Sequence, residues 1–314
     1  MLPAYSDVEA KAQSLGFQKV AALSFPQLTL EGDALRTWLA QGFHADMQWM
    51  VDHLEKRLSP MSLMPDTQAI LCVAMNYYPG DYESHVEGKI ARYAQGIDYH
   101  VLLKDRLKKL LAWLQTFDPD IQGRPLVDSA PILEKALATK AGFAWQGKHS
   151  NMITQNMGSW FFLGELLLNV TFPDAPTPEP MGNLCGSCRR CIEACPTQAI
   201  EDPYVVDSRK CISYWSIEYK GDEIPVEIQE NMNGWLFGCD ICQEVCPWNI
   251  KFQKLTDEEA FQARPWNRTP RLNEIATLSE SQFRVRYRKS PIKRAKLKGL
   301  QRNAKALQEL PSAR

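Results

Sequence analysis

Cysteine is nearly missing from the first 184 residues, where Cys72 stands alone in the apolar run AILCVAM and reads as a buried core residue. A long hydrophobic run is missing too. The most apolar segment, SWFFLGELLLNV at 159–170, is too short and too interrupted to cross a bilayer. The N-terminus, MLPAYSDVEAKAQSLGF, has acidic residues where a secretory signal needs a basic head and an apolar stretch. These absences predict a soluble cytoplasmic protein with no membrane partner. A charge excess is also absent. The 314 residues carry a formal net charge of -1, which excludes a chain that coats nucleic acid uniformly but not a local basic patch. At 45% hydrophobic and 23% charged residues the chain can bury a core, and its length suits two domains or one with an insert.

What is present is concentrated. CGSCRRCIEACPTQAI (185–200) holds Cys185, Cys188, Cys191 and Cys195 before Pro196, the C-x2-C-x2-C-x3-C-P spacing of a ferredoxin-type 4Fe–4S run. Zinc sites show two separated pairs instead, and three thiolates on one turn suit three corners of a cube. In a reducing compartment such cysteines are read as ligands rather than disulfides. The fourth cysteine of this run ordinarily serves a different cluster, and CDICQEVCPW (239–248) supplies it through Cys239, Cys242, Cys246 and Pro247, with a first cysteine displaced upstream to Cys211. The crossed pattern of two-cluster ferredoxins predicts one cluster on Cys185, Cys188, Cys191 and Cys246, and another on Cys195, Cys211, Cys239 and Cys242. The chain is far longer than two clusters need, so a destination for the electrons is expected within it.

Periodicity predicts helices within residues 1–50, a central strand over 67–78, an amphipathic helix over 99–117 and a turn into a strand over 158–172. A short strand is expected to end at Asp128, with a helix from Pro131 capped by Ser129. PDAPTPEPMGN (173–183) reads as a linker. The insertion between Cys211 and Cys239 carries Tyr214, Trp215, Tyr219 and Trp235, which suits a lid over something flat or packing onto the first domain. Residues 281–307 hold ten Lys and Arg and no acid, a block suited to a phosphate backbone, with Phe283 and Tyr287 available for stacking.

Taken together, RYAQGIDYH (92–100), RPLVDSAPILEKALATKAGFAWQGKHSNMI, GSWFFLGELLLN, CGSCRRCIEACPTQAI, CISYWSIEYKG, GCDICQEVCPWN and SPIKRAKLKGLQRN resemble the epoxyqueuosine reductase family across nearly the whole chain. The resemblance implies an α+β fold: a nitroreductase-like cobalamin-binding α/β domain over 1–175, a ferredoxin-like module with two 4Fe–4S clusters over 176–258, and a short helical basic region over 259–314. It implies reduction of epoxyqueuosine to queuosine in tRNA by a monomer that draws on an external low-potential electron donor. The related reductive dehalogenases, acting on small molecules, are one alternative, and a non-catalytic two-cluster electron carrier is another.

By position in the matching stretches, Asp128 is implied as proton donor, which requires its pKa to rise; capping the next helix is its plainer reading. Implied cobalamin contacts are Arg57, Tyr99, Asp128, His149, Met152, Ser159, Trp160, Ser216, Gly238 and Asp240. The D-x-H-x-x-G corrinoid motif is incomplete, since Asp98-Tyr99-His100 is followed by Leu103 where glycine would stand. Some family members carry a helical-repeat extension. Here the chain ends in its basic segment, so tRNA contacts are expected from Arg189, Arg190, Arg284, Arg286, Arg288, Lys289, Lys293, Arg294, Lys296, Lys298 and Arg302.

Overall fold

The computed structural model describes residues 2–24, 27–83 and 86–309. At its centre lies a wholly antiparallel sheet of β1 (Lys19–Ser24), β2 (Ala69–Asn76), β3 (Gly123–Leu126) and β4 (Phe161–Leu168), in the order β1-β2-β4-β3. Successive side chains of a strand point to opposite faces. Leu71, Val73 and Met75 of β2 therefore enter one core, and Ile70, Cys72 and Ala74 enter another. Burial on both faces explains why this run shows no polar alternation. Cys72 is 1% exposed, as its neighbours lead one to expect.

Helices cover both faces. In α3 (Tyr99–Leu114), Leu103, Leu107, Leu110 and Leu114 fall on one stripe and pack with Val8 and Ala12 of α1 (Tyr5–Ser14) in the first core. Leu137 and Ala138 of α4 (Glu134–Lys140) enter the second, while α2 (Thr29–Ala40) lies nearer the surface. The edge strand β1, between α1 and α2, was not foreseen: KVAALS buries only Ala22 and Leu23 and lacks alternation. Nor does a helix start at Pro131. It starts at Glu134 without a side-chain cap, and Ser129 Oγ donates instead to the Val127 carbonyl at 3.2 Å.

The cysteine-rich region is built from short helices, Arg190–Glu193, Ile241–Glu244 and Pro247–Phe252, and a two-stranded ladder of Ile200–Asp202 with Val205–Val206. Packing, rather than a lid, accounts for the aromatic insertion. Trp235 is fully buried, and Trp235–Phe237 pairs in parallel with Lys89–Ile90. The C-terminal segment closes a third core in which Phe283, Tyr287 and Leu300 of α5 (Lys296–Glu309) and its approach meet Ile90 and Phe237. Phe283 and Tyr287 are thus core residues and unavailable for base stacking. Among the described residues no helix is long and apolar enough to cross a membrane.

Candidate functional site

A cavity of about 1060 Å³ is walled by α2, α4, the loop after β3 and the cysteine segments. Small-ligand pockets run to about 1,000 Å³, so this one has room for a large cofactor. Asp128, Arg57 and His149 line it, and so do Cys195, Cys211, Cys239 and Cys242.

None of the nine cysteines is in a disulfide. Among the described residues no three His, Cys, Asp or Glu side chains converge on a single ion. The thiols gather instead in two looser sets. Burial pushes Cys191 up to about 11, helped by its neighbours Cys246, Cys185 and Cys188, and Cys246 is raised by burial with Cys185 and Cys188 again beside it. Burial also raises Cys239, flanked by Cys242 and Cys211, and Cys211, flanked by Cys195. Cys191 and Cys246, and likewise Cys211 and Cys195, are thus neighbours drawn from different parts of the chain, and the two sets adjoin, because Cys242 feels Cys191 as well as Cys211 and Cys195. Thiolates in such surroundings need a compensating cationic centre, which an iron–sulfur cluster provides. No cysteine of the first set lines the cavity, whereas all four of the second do. The turn into Cys239 depends on Gly238: its φ is +70°, its N–H donates to Ser216 Oγ at 2.9 Å, and an added Cβ would stand 2.5 Å from Ala91 Cβ.

Asp128 sits just beyond β3 in a left-handed backbone conformation, φ +42°, which a non-glycine residue adopts only when its surroundings hold it there. Its carboxylate caps no helix. It accepts from the Tyr99 hydroxyl and lies 3.1 Å from His100 Nε2, and His100 Nδ1 is 2.7 Å from Asp98. Tyr99 is fixed by stacking on Phe162, with ring centroids 4.0 Å apart. With a carboxylate at each ring nitrogen, His100 is satisfied as imidazolium. Burial opposes that charge, but Asp128 and Asp98 outweigh it and lift the pKa to about 9. For Asp128 the expected rise is overturned: burial pushes upward, yet His100 and Tyr99 prevail and hold it below the ordinary range. The stored proton is on His100.

Two further carboxyls were not foreseen from the sequence. Glu134 accepts the Asp128 N–H at 2.5 Å, and burial, then the Asp128 charge, raises it to about 8. Glu165 of β4 is 1% exposed with Oε2 unpartnered, and burial raises it well above the carboxylate range. Burial thus favours the neutral form of both.

Arg57 and His149 are buried in the cavity wall, with Arg57 Nε and His149 Nε2 lacking partners among the described residues. His149 is held near 4, by burial first and then by Lys135, so its ring is neutral, and Nδ1 accepts from the Asn151 N–H at 3.2 Å. Nε2 is therefore a free donor. The other implied cobalamin contacts do not line the cavity. Tyr99 reaches it only through Asp128. Met152 and Trp160 are core residues, and Ser159 donates to Gln243 Oε1 at 2.8 Å. Ser216 donates to the Ile212 carbonyl at 2.8 Å. Asp240 accepts from the Arg92 N–H at 2.8 Å and the Tyr82 hydroxyl at 3.0 Å, beside an Arg92–Glu244 pair of 2.8 Å. This buried network ties the cysteine segment to the sheet side.

The basic block is less free than its composition suggests. Arg302 is buried and donates to the carbonyls of Tyr219, Gly221 and Trp215 at 3.0, 2.9 and 2.7 Å, so its expected role in RNA contact gives way to a structural one. Arg284, Arg286, Arg294 and Lys298 pair with Glu280, Glu274, Glu218 and Asp222, acids outside the block. Arg288, Lys289, Lys293 and Lys296 are exposed and have no acidic partner among the described residues. The Lys289 carbonyl accepts from the Asp98 N–H at 2.9 Å, and Arg294, within the same block, lies 5.9 Å from the ring of Trp49, a cavity residue. Arg189 and Arg190 lie elsewhere, exposed beside the first cysteine set.

Residues 57–129 match the family model described as epoxyqueuosine reductase QueG, and residues 184–249 match the 4Fe-4S double cluster binding domain. The chain is 44% identical over 274 residues to an epoxyqueuosine reductase of Synechocystis sp., covering 87% of this chain and 93% of the relative. It is 43% identical over 275 residues to that of Escherichia coli K12, covering 86% of this chain and 71% of the relative. Among solved structures, an epoxyqueuosine reductase with an epoxyqueuosine-modified tRNA-Tyr stem loop superposes at a TM-score of 0.86 and 26% identity, over 96% of this chain and 80% of that one. A Bacillus subtilis enzyme with its catalytic aspartate loop swung out of the active site superposes equally well.

Proposed function

The chain belongs to the epoxyqueuosine reductase family and is an oxidoreductase, and from that premise we propose that it reduces epoxyqueuosine to queuosine at the wobble position of tRNA, with two 4Fe–4S clusters and a cobalamin as cofactors. One observation carries this reading: Asp128 and the Cys195–Cys211–Cys239–Cys242 set line the same cavity, so a proton source and an electron source face one volume. The antiparallel sheet with helices on both faces supports a nitroreductase-like domain over 1–175. The two cysteine runs support a ferredoxin-like module over 176–258, followed by a basic region over 259–314.

Removing the epoxide oxygen as water consumes two electrons and two protons. Alkoxide is a poor leaving group, so protonation must accompany C–O cleavage. Asp128 delivers that proton at its carboxyl, and His100, 3.1 Å away, refills it. Tyr99 fixes the carboxylate from the other side. Cobalamin, when bound, supplies low-valent cobalt, an electron donor or nucleophile that no side chain can replace. The unpartnered Arg57 Nε and His149 Nε2 fit polar groups on its periphery, and Leu35, Ile132, Leu133 and Ile212 offer apolar wall. The exposed Arg288, Lys289, Lys293 and Lys296 suit anticodon-loop phosphates, with the modified base turned into the cavity.

Conversion tests this reading. Protein reconstituted anaerobically with iron, sulfide and cobalamin, then given reductant and epoxyqueuosine-containing tRNA, is expected to yield queuosine. Persistence of the epoxide despite bound clusters and corrin would refute it.

A further inference from the structure

Electrons must also enter the molecule. All four cysteines of the second set face the cavity where the chemistry is placed, so entry falls to the first set, none of which lines that cavity. Beside it runs a shallow groove of about 540 Å³, formed by Arg190, Glu193, Ala194, Glu244, Val245 and Ile250. Arg190 and Val245 adjoin Cys191 and Cys246 in the chain, Ala194 adjoins Cys195, and none of the groove residues lines the cavity. The floor is apolar, with Ile250 59% exposed. Arg190 lies in the groove wall, and Arg189 and Lys251 are the chain neighbours of Arg190 and Ile250; all three are exposed and without an acidic partner among the described residues. Of the acids there, Glu244 is engaged by Arg92 at 2.8 Å, leaving Glu193. An apolar floor inside a net positive rim complements an acidic protein that presents the apolar edge of a bound flavin. It offers RNA little, since Ile250 and Val245 meet no need of a phosphate.

We propose that this groove is the docking site of an acidic flavin-carrying electron-transfer protein, which reduces the cluster on Cys185, Cys188, Cys191 and Cys246. The proposal rests on the cluster assignment above. In each encounter the carrier's anionic flavin hydroquinone loses one electron and becomes the neutral semiquinone, and the cluster gains it, passing from its 2+ to its 1+ state. No bond forms and no proton moves. Two encounters supply the two electrons that the reaction consumes.

The test uses the reconstituted holoenzyme with an acidic flavodoxin as probe, and three readouts: cluster bleaching by flavodoxin hydroquinone in stopped flow, cluster bleaching by dithionite, and affinity for a tRNA stem loop. Charge reversal in Arg189→Glu/Arg190→Glu is expected to slow flavodoxin-driven bleaching roughly tenfold at low ionic strength, as rim charges govern association rates, and to leave the other two readouts unchanged. A second variant, Ile250→Glu, is expected to slow the same step at high salt as well. An unchanged flavodoxin rate in both variants overturns the proposal. So does a loss of stem-loop affinity with the flavodoxin rate intact, which would assign the rim to RNA. Conversion driven by dithionite bypasses docking, so failure here is distinguishable from failure of the proposed reaction.

Discussion

His100 Nε2 stands 3.1 Å from Asp128 Oδ2 while His100 Nδ1 stands 2.7 Å from Asp98, so a single imidazole bridges two carboxylates at the cavity wall. His100 therefore stays protonated up to a pH of about 9, and Asp128 stays ionised below the ordinary range until something takes charge away. The pair works as one acid: the proton is stored on nitrogen and delivered through oxygen.

His100→Gln keeps a hydrogen bond to Asp128 but cannot store the proton. Turnover is expected to fall on the order of a hundredfold, within the range for loss of general acid catalysis. The wild-type rate should decline as pH rises through about 9. That limb should vanish in the variant, and a rate–pH profile of each protein is the check.

Stability should follow the same pair. A raised histidine pKa stabilises the fold fully below its ordinary value of 6.5, and the effect is lost as pH rises through about 9. The depressed Asp128 stabilises above its ordinary value of 3.8, and the effect is lost as pH falls through its lowered one. The difference in melting temperature between wild type and His100→Gln should thus be largest between those two ordinary values and shrink toward alkaline pH. A pH-independent difference would contradict the pairing.

The cysteine grouping predicts which substitutions share a phenotype. Cys246→Ser and Cys188→Ser should remove the same cluster signal in electron paramagnetic resonance of the reduced protein, and Cys242→Ser the other. If Cys246→Ser and Cys242→Ser, neighbours in sequence, share a signal, the crossed arrangement is wrong.

Arg92 and Asp240 are 4% and 1% exposed and are paired across the seam between the sheet side and the cysteine segment. Arg92→Leu leaves a buried carboxylate without its counter-charge and should cost about 3–5 kcal/mol. Denaturant unfolding of the apoprotein measures it.

Much of this was legible in the chain, for reasons that differ by element. Most of the thiols lie in two short runs whose spacing alone marks them as ligands, so the runs could be read directly. The upstream Cys211 and the exchange of Cys195 and Cys246 between runs were inferred from the ferredoxin pattern. The leucine stripe of 99–117 and the two-sided burial of AILCVAMN follow from the helix and strand periods. The basic block was misread in part because its acids, Glu218, Asp222 and Glu274, lie outside it, and because Arg302 turns inward onto carbonyls. His100 was visible as part of an incomplete corrinoid motif. Its partnership with Asp128, 28 residues away, exists only once α3 and the β3 loop are brought together. Glu165 gave no signal, because a glutamate inside a strand of apolar residues reads as a solvent-facing position.

Removing the exposed cations separates RNA contact from architecture. Each of Lys289→Gln, Lys293→Gln and Lys296→Gln should weaken stem-loop binding and reduce its salt slope by about one. Arg302→Gln should leave that slope alone and lower the melting temperature instead. Binding titrations across salt concentrations distinguish the two.

The measurement closest to the central claim is nucleoside mass spectrometry of epoxyqueuosine-containing tRNA after incubation with the reduced holoenzyme, wild type against Asp128→Asn. Asparagine tolerates the left-handed backbone at this position, so the fold is expected to survive. The account predicts loss of one oxygen with the wild type and at least a hundredfold slower loss with the variant, with clusters and corrin still bound. Conversion at the wild-type rate by Asp128→Asn would contradict it.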